Sequence, residues 1–349
     1  MTSDSMKAVY FEETGGGEVL RFGDVGRPQP GNGQVLVRVL ACGVNRLDIY
    51  ARTGRTPVKF PHISGSEAAG EVVAYGPGVV TEPVPVGKIA AIAPYLFCGQ
   101  CEFCVAGDET MCIRGDILGL ASQGAFAEYV VVPASSLVSV PDGVNATKAA
   151  AVGLAMITAW HMLIDRAKIR AGETVLVQAG GSGVGSAAIQ IAKLSGARVI
   201  ATVGSSEKME HATLLGADNV INYNELDFAQ EVRKLTGKRG VSLVVEHIGT
   251  ATWEKSIACL AREGRLVTCG ATTGNDGMTN IWTLFAKELK LIGSYGGTRA
   301  DLATVLRLVA NGQLHPVIAR TLPLESMAEA QRLLEARGVF GKIVIDTTK

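Results

Sequence analysis

The sequence predicts an α/β protein in which a β-rich first part is followed by a doubly wound parallel sheet of six strands. Its 349 residues correspond to about two domains, at roughly 100 to 200 residues each. Hydrophobic residues make up 47% of the chain, which is enough to bury a large core. After Pro141 the apolar pattern changes from short strands between turns to strands that alternate with helices.

Charge and hydropathy argue against a nucleic-acid partner and a membrane partner. Lys plus Arg and Asp plus Glu each number 33, so no net charge draws the chain to nucleic acid or to an anionic membrane. The longest apolar stretch, residues 149–160, is shorter than the roughly 20 residues that a membrane span needs. Residues 1–7 lack the pattern of a secretory signal, so we expect a cytoplasmic protein.

The first third of the chain predicts short strands separated by Gly and Pro. These strands are expected at residues 35–40, 70–75, 89–93 and 129–132. Helix-forming residues follow at 146–164. The first domain is therefore expected to be all-β up to this point.

From Thr174 onward, strands and helices alternate. The strands are predicted at 174–178, 198–203, 219–221, 243–246, 265–269 and 289–293, with helical segments at 185–195, 208–215, 228–235 and 252–261. Crossovers of this size imply a parallel sheet with helices on both faces. The tail, 301–349, carries two amphipathic helices and a strand at 342–345, which we expect to pack back on the β-rich domain.

The turn after the first strand of this sheet predicts a diphosphate site. Residues 179–185 read Ala-Gly-Gly-Ser-Gly-Val-Gly and lead into a helix, whose first N–H groups lie unpaired at the positive end of its dipole. Serine stands where the G-x-G-x-x-G spacing has its middle glycine, and an ordinary strand-to-helix turn is the alternative. The predicted diphosphate-binding residues are Gly180, Gly181, Ser182, Gly183, Val184 and Gly185.

The end of the second strand favours NADP over NAD. An NAD site usually has an Asp or Glu here that hydrogen-bonds the ribose 2′-hydroxyl. This chain has Val-Gly-Ser-Ser at 203–206, so that the hydroxyl of Ser205 and the cation of Lys208 are available to a 2′-phosphate. The negative charge of Glu207 is unfavourable for a phosphate. The alternative is that Lys208 is an ordinary solvent-exposed helix residue.

Four of the seven cysteines are close together in the sequence and predict one structural zinc per chain. Cys98, Cys101, Cys104 and Cys112 supply the four thiolates of a tetrahedral zinc, which leaves no position for water or substrate. Free or disulfide-bonded thiols and an iron–sulfur cluster are the alternatives. An odd total with one dense cluster is typical of a reducing compartment.

Several motif blocks, in order, resemble the medium-chain dehydrogenase/reductase superfamily, which includes the zinc alcohol dehydrogenases and the quinone oxidoreductases. The blocks are the cysteine lobe and residues 65–70, 124–129, 180–185 and 339–345. The resemblance implies a GroES-like domain from residues 1–154 and 296–349, with a zinc lobe at about 95–115, and a Rossmann domain from residues 155–295. It also implies a cleft where nicotinamide meets substrate, and a homodimer or homotetramer.

Zinc alcohol dehydrogenases of this superfamily hold a second, catalytic zinc with a Cys, a His and a Cys. The matching positions are Asn45, Ser66 and Leu154, so all three ligands are missing. Without a Lewis acid the substrate has to be electrophilic already. The alternative is a zinc site improvised from residues such as Glu67, Asp48, His62 or Cys42.

The resemblance therefore implies an NADP(H)-dependent reductase, without catalytic zinc, of a small molecule: a quinone or the C=C bond of an α,β-unsaturated carbonyl compound. In similar quinone oxidoreductases, residues matching Lys208, Tyr223 and Arg337 bind the 2′-phosphate. We predict that Asn45, Tyr50 and Ser66 polarise the substrate, that Thr158 lines the cofactor site and that His247 contacts the nicotinamide side. An alcohol dehydrogenase with substitute zinc ligands and a non-catalytic dinucleotide-binding protein are the other hypotheses.

Overall fold

The computed structural model describes residues 4–349, and the chain divides into two compact units. One unit is Met1–Ile157 with Gly297–Lys349, and the other is Thr158–Gly296. The discontinuous unit is mainly β, whereas in the continuous unit strands alternate with helices.

The elements of the first part follow in chain order. They are β1 (Ser5–Tyr10), β2 (Arg21–Gly26), β3 (Gln34–Gly43), α1 (Arg46–Arg52), β4 (Glu67–Tyr75), β5 (Ile89–Ile92), β6 (Tyr95–Leu96), α2 (Glu102–Val105), β7 (Asp116–Ile117), β8 (Tyr129–Pro133), β9 (Leu137–Ser139) and α3 (Ala146–Val152). Short 3-10 turns lie at Gly17–Val19, Glu109–Met111 and Ala134–Ser136.

The remaining elements begin with α4 (Ala155–Trp160) and the π-helical turn His161–Arg166. Then come β10 (Thr174–Val177), α5 (Gly183–Leu194), β11 (Arg198–Val203), α6 (Ser206–Leu214), β12 (Asn219–Asn222), α7 (Phe228–Leu235), β13 (Val241–Glu246), α8 (Trp253–Ala258), β14 (Leu260–Thr268), α9 (Ile281–Ala286) and β15 (Lys290–Gly293). The tail forms α10 (Arg299–Ala310), β16 (Ile318–Pro323), the 3-10 turn Leu324–Ser326, α11 (Met327–Glu335) and β17 (Lys342–Asp346).

The sheet of the discontinuous unit has the strand order β16-β17-β3-β4-β5-β9, and β8 also pairs with β3. Along β3, Val37 and Val39 are buried and Arg38 between them is exposed, because one face of the sheet packs on the core. Strand β17 is antiparallel to β3, with Ile345 opposite Cys42. The expectation that the tail strand returns to the β-rich domain is confirmed.

The sheet of the continuous unit is parallel throughout and has the order β12-β11-β10-β13-β14-β15. The predicted doubly wound sheet of six strands is therefore confirmed. Its central strands are nearly continuous apolar runs, such as Val175, Leu176 and Val177, all fully buried, as expected for a parallel sheet covered on both faces. The strand order reverses between β10 and β13, where such folds bind ligands at the carboxyl ends of the strands.

The structure contains elements that the sequence did not predict, among them β1, β2, α9 and the helix α1 within the part expected to be all-β. Three further differences have a local cause. The helix expected at 146–164 is broken at Gly153, because the next amide, of Leu154, donates to the Glu67 carboxylate at 2.6 Å instead of to the helix. The helix expected at 252–261 ends at Ala258, because Leu260 enters β14 and pairs with Val241. Strand β16 was not predicted, because it is a partly exposed strand at the sheet edge with little apolar pattern.

Within residues 4–349 no single helix is long and apolar enough to cross a membrane. The bent pair Ala146–Val152 and Ala155–Arg166 meets the length and composition criteria only when its two helices are taken together.

Candidate functional site

The glycine-rich turn lies at the carboxyl end of β10, beside the point where the strand order reverses. Ser182 is the N-cap of α5, and its hydroxyl accepts a hydrogen bond from the Gly185 amide at 2.9 Å. A Cβ on Gly185 would lie 2.2 Å from the Ala179 carbonyl oxygen, so this position requires glycine. The serine that departs from the glycine spacing therefore has a capping function, and the turn opens onto the first amides of a twelve-residue helix.

The second strand, β11, ends beside two residues that follow β12. The Tyr223 amide donates to the Val203 carbonyl at 3.0 Å, and the Asn224 side chain donates to the Gly204 carbonyl at 2.8 Å. A Cβ on Gly204 would lie 2.6 Å from the Tyr223 hydroxyl, so any side chain at this position would require Tyr223 to shift. Sequence reasoning missed Asn224, although its position directly after Tyr223 was a usable signal.

Ser205 caps the next helix of this region. Its hydroxyl accepts from the Lys208 amide at 3.4 Å at the start of α6. The structure thus brings together Ser205, Lys208 and Tyr223 around the end of β11, where no carboxylate follows the strand directly.

Residues after β13 and β14 form a cavity at the carboxyl ends of these strands. It encloses ≈ 390 Å³ and is lined in part by Thr250, Trp253 and Thr268. His247, directly after β13, is buried, and its Nε2 lies 3.4 Å from the Ser182 hydroxyl oxygen. Burial lowers the pKa of His247, which favours the neutral imidazole beside the glycine-rich turn.

The four predicted zinc ligands form a compact cluster. All four Sγ atoms lie within 4.8 Å of one another, with pairs at 3.4 Å (Cys101 and Cys104) and 3.9 Å (Cys98 and Cys104, Cys101 and Cys112). A tetrahedron with Zn–S bonds of about 2.3 Å has edges of about 3.8 Å, whereas a disulfide needs about 2.05 Å. The sulfur set therefore fits a zinc ion and contains no disulfide.

Hydrogen bonds favour the thiolate form of Cys98. Its pKa is lowered to about 5, first because the backbone amides of Gln100 and Cys101 donate to the sulfur, and also because Arg114 donates to it at 3.4 Å. Metal ions bind thiolates rather than thiols, so this environment suits a ligand.

Two of the three positions predicted to match catalytic-zinc ligands, Asn45 and Leu154, contact the Glu67 carboxylate. The Asn45 amide donates to Glu67 at 2.9 Å, and the Leu154 backbone amide donates to it at 2.6 Å. Ser66 precedes Glu67, is fully buried, and its hydroxyl has no hydrogen-bond partner within residues 4–349. These positions therefore come together in space, but they offer an amide, a hydroxyl and an alkyl group.

A buried ammonium, that of Lys342 in β17, completes this cluster. Its Nζ lies 2.7 Å from a Glu67 carboxylate oxygen and donates to the Asn45 side-chain oxygen at 2.5 Å and the Val44 carbonyl at 2.9 Å. Its three hydrogens thus have three acceptors. Sequence reasoning missed Lys342, and the signal was a single lysine at the start of the apolar run Ile-Val-Ile.

The residues considered for an improvised catalytic zinc are already engaged. Asp48 accepts from the backbone amides of Asn45 and Gly65, and burial raises its pKa to about 7. His62 Nε2 lies 2.9 Å from the Gly119 carbonyl oxygen. Within the described chain, no group of three metal-ligating side chains includes Asp48, His62, Glu67 or Cys42. The described residues therefore do not bring these side chains together as a set of metal ligands.

The other predicted site residues lie as follows. Tyr50 is half-buried on α1, and the Arg55 guanidinium lies 4.3 Å from its ring centroid. Thr158 is buried on α4. Arg337 follows α11 with a φ of 54° and is close enough to Arg46 for their like charges to interact. Arg46 was not predicted, and its guanidinium donates to the Leu334 carbonyl at 2.8 Å.

Comparison with known proteins assigns the family. Residues 183–311 match the zinc-binding dehydrogenase family, and residues 31–142 match the alcohol dehydrogenase GroES-like domain. A crystal structure of an NAD-dependent alcohol dehydrogenase is 43% identical, with a TM-score of 0.93, and the match covers 98% of this chain and 100% of that chain. The quinone oxidoreductase of Homo sapiens is 29% identical, with the match covering 97% of each protein.

A third relative is the 2-octenoyl-CoA carboxylase reductase CinF, solved in complex with NADP and 2-octenoyl-CoA. It is 27% identical, with a TM-score of 0.90, and the match covers 99% of this chain and 88% of that chain. All three relatives are oxidoreductases by name. This chain therefore belongs to the medium-chain dehydrogenase/reductase superfamily, as a member similar to both the zinc-type alcohol dehydrogenases and the quinone oxidoreductases.

Proposed function

We propose that this oxidoreductase uses NADPH to reduce a quinone or the C=C bond of an α,β-unsaturated carbonyl compound, without a catalytic zinc. The observation that carries the proposal is the Lys342 ammonium, which is paired with Glu67 and hydrogen-bonded to Asn45, one of the three positions predicted to match a catalytic-zinc ligand. A fixed cation with all three hydrogens engaged cannot act as a Lewis acid on a substrate oxygen. The substrate therefore has to be electrophilic by itself.

We assign the catalytic roles of the predicted residues by asking which of them has a hydrogen available to donate to the substrate. When bound, reduced nicotinamide supplies the hydride. The Asn45 side-chain amide donates to Glu67 and to the Gly43 carbonyl. Both of its hydrogens are therefore engaged, and its place in the site is fixed. Tyr50 is the accessible donor that we assign to the developing oxyanion, and the unpartnered hydroxyl of Ser66 is a second donor for a substrate oxygen that reaches it.

We assign the diphosphate of the dinucleotide to the turn of Gly180, Gly181, Ser182, Gly183, Val184 and Gly185. The nicotinamide half is assigned to the side of Thr158 and His247. Ser205, Lys208, Tyr223 and Arg337 are assigned to the 2′-phosphate, which is supported by the lack of a carboxylate directly after β11. One zinc per chain is assigned to Cys98, Cys101, Cys104 and Cys112, where it would stabilise the lobe.

An assay of NADPH consumption over quinones, enals, enones and alcohols, combined with metal analysis, tests the proposal. We expect turnover of quinones or enones, one zinc per chain, and no increase in activity on adding zinc. Two zinc ions per chain together with alcohol oxidation would instead identify an alcohol dehydrogenase. Tight NADPH binding with no turnover of any electrophile would identify a non-catalytic protein.

The cofactor preference is tested by Ser205→Asp. Aspartate still caps α6, but its carboxylate would repel a 2′-phosphate, so the ratio of kcat/KM for NADPH to that for NADH is expected to fall at least about tenfold. Ser205→Asn is the matched control, since it has the same shape and caps equally without a charge. An unchanged ratio in Ser205→Asp would refute the assignment to NADP.

A second copy of the chain is the partner that we propose, consistent with a homodimer. Strand β15 ends the six-stranded sheet, and no strand of the described chain pairs with its outer edge. On the preceding helix, α9, Ile281, Trp282 and Phe285 are exposed, and Trp282 stacks edge-to-face on Phe285. An open sheet edge and exposed aromatic groups are each typical of an association surface.

A further inference from the structure

A chain of buried hydrogen bonds crosses three neighbouring strands directly beneath the glycine-rich turn. It connects Thr202 at the end of β11, Gln178 after β10, Ser256 in α8 and Glu246 at the end of β13. These four side chains, called here the Thr202–Glu246 chain, are each at least 98% buried. Because each belongs to a different element, together they connect the carboxyl ends of the strands on both sides of the point where the strand order reverses.

All hydrogen bonds of the Thr202–Glu246 chain run in one direction. The Thr202 hydroxyl donates to the Gln178 side-chain oxygen at 2.7 Å, and the Gln178 amide donates to the Ser256 hydroxyl at 3.0 Å. The Ser256 hydroxyl then donates to the Glu246 carboxylate at 2.6 Å. Hydrogen bonds that point the same way polarise one another, and a terminal carboxylate strengthens the whole series.

The other end of the Thr202–Glu246 chain binds the turn itself. The Ala179 amide donates to the Thr202 hydroxyl oxygen at 3.0 Å, and the Gly180 amide donates to the Thr202 carbonyl at 2.7 Å. Ala179 has a φ of 46°, a left-handed conformation that is unfavourable for a residue with a Cβ. Its carbonyl accepts from the Ser182 amide at 2.9 Å, so the conformation of Ala179 sets the direction of the turn.

We infer that Thr202, Gln178, Ser256 and Glu246 are positioning residues, which hold Ala179 in its left-handed conformation and thereby keep the turn ready for the diphosphate. Without the Thr202 hydroxyl, the Ala179 amide loses its partner, and an ordinary negative φ becomes more favourable. The binding-competent turn is then populated less, and the apparent affinity falls by the same factor. The inference depends on the dinucleotide binding proposed above.

The first test is Thr202→Val, which keeps the volume of the side chain and removes its hydroxyl. The dissociation constants for NADPH and for NADH are expected to rise by about tenfold each, since the turn binds the diphosphate that both share. Thr202→Ser keeps the hydroxyl and should bind within about twofold of the wild type. Thr213→Val is the matched control, because that exposed threonine bonds only its own helix backbone and should leave binding unchanged.

The second test is rescue by glycine, which adopts a positive φ without a penalty. The double variant Thr202→Val with Ala179→Gly should regain most of the lost affinity, although the hydroxyl is still missing. A merely structural role of Thr202 predicts no such rescue. Ser256→Ala, which breaks the chain next to the carboxylate, should weaken binding about threefold and be rescued by the same glycine.

The outcomes separate this inference from the proposed function. Wild-type protein that binds neither NADPH nor NADH would refute the proposed function and this inference with it. If the wild-type protein binds NADPH and the Thr202→Val variant binds it with the same affinity, the inference alone is refuted. A double variant that binds as weakly as Thr202→Val would also overturn it. If the Thr202→Val variant does not fold, the inference is tested instead by Ser256→Ala and by the double variant Ser256→Ala with Ala179→Gly.

Discussion

Cys104→Ser is expected to release the zinc ion and to lower the melting temperature by about 5 °C. A serine hydroxyl is a poor zinc ligand, and a structural zinc contributes folding free energy directly, so its loss should unfold the lobe of Cys98, Cys101, Cys104 and Cys112. A loss of about 3–5 kcal/mol corresponds to roughly 4–7 °C for a chain of 349 residues. Zinc content by elemental analysis and the melting temperature by differential scanning fluorimetry measure the two effects.

The control for this experiment is Cys269→Ser, which changes a thiol outside the lobe. Cys269 follows β14 and is absent from the four-sulfur group. It should retain one zinc per chain. Full zinc content and an unchanged melting temperature in Cys104→Ser would contradict the zinc assignment, and iron in place of zinc in the wild type would identify an iron–sulfur site.

Lys342→Met is expected to lower the free energy of unfolding by about 3–5 kcal/mol, because it leaves the Glu67 carboxylate buried without its counter-ion. Methionine keeps most of the length of the lysine stem, so packing changes little. The second variant, Lys342→Met with Glu67→Gln, removes both charges and should regain more than half of the loss. Urea unfolding, followed by circular dichroism, measures these free energies.

Lys193→Met provides the matched control for the buried pair. The Lys193 ammonium lies 2.9 Å from an Asp218 oxygen, but both side chains are about one-third exposed, so its removal should cost less than about 1 kcal/mol. Equal stability of the Lys342→Met and Lys193→Met variants would show that the Lys342 ammonium is not the counter-ion of Glu67. The role of the cluster at the matched metal positions would then need another explanation.

Local sequence patterns were sufficient where the structure depends on neighbouring residues. The strand, glycine-rich turn and helix over 174–195 were predicted together, because each element is encoded by residues within a few positions of one another. The cysteine spacing likewise predicted the cluster, since three of its ligands lie within seven residues. Ser182 departed from the glycine pattern, and only its capping bond to Gly185 explains why serine stands there.

The hydrogen-bond and ion-pair partners of the candidate zinc ligands could not be predicted from local patterns. The sequence suggested Asp48, His62 and Glu67 as substitute zinc ligands because their side chains can bind metal. In the structure, backbone amides, a carbonyl and a distant lysine occupy them. Whether a carboxylate is free depends on its surroundings in three dimensions, which residue type alone does not report.

The sequence by itself determined the two-part α/β fold, the glycine-rich turn, the four-cysteine cluster and the lack of Cys and His at the three positions predicted to match catalytic-zinc ligands. Only the tertiary structure showed which side chains contact one another at these positions. Lys342 meets Asn45 across 297 positions of the chain, and Gln178 meets Ser256 across 78. Such buried contacts depend on which strands are neighbours and in which register they pair, and no pattern of adjacent residues encodes that register.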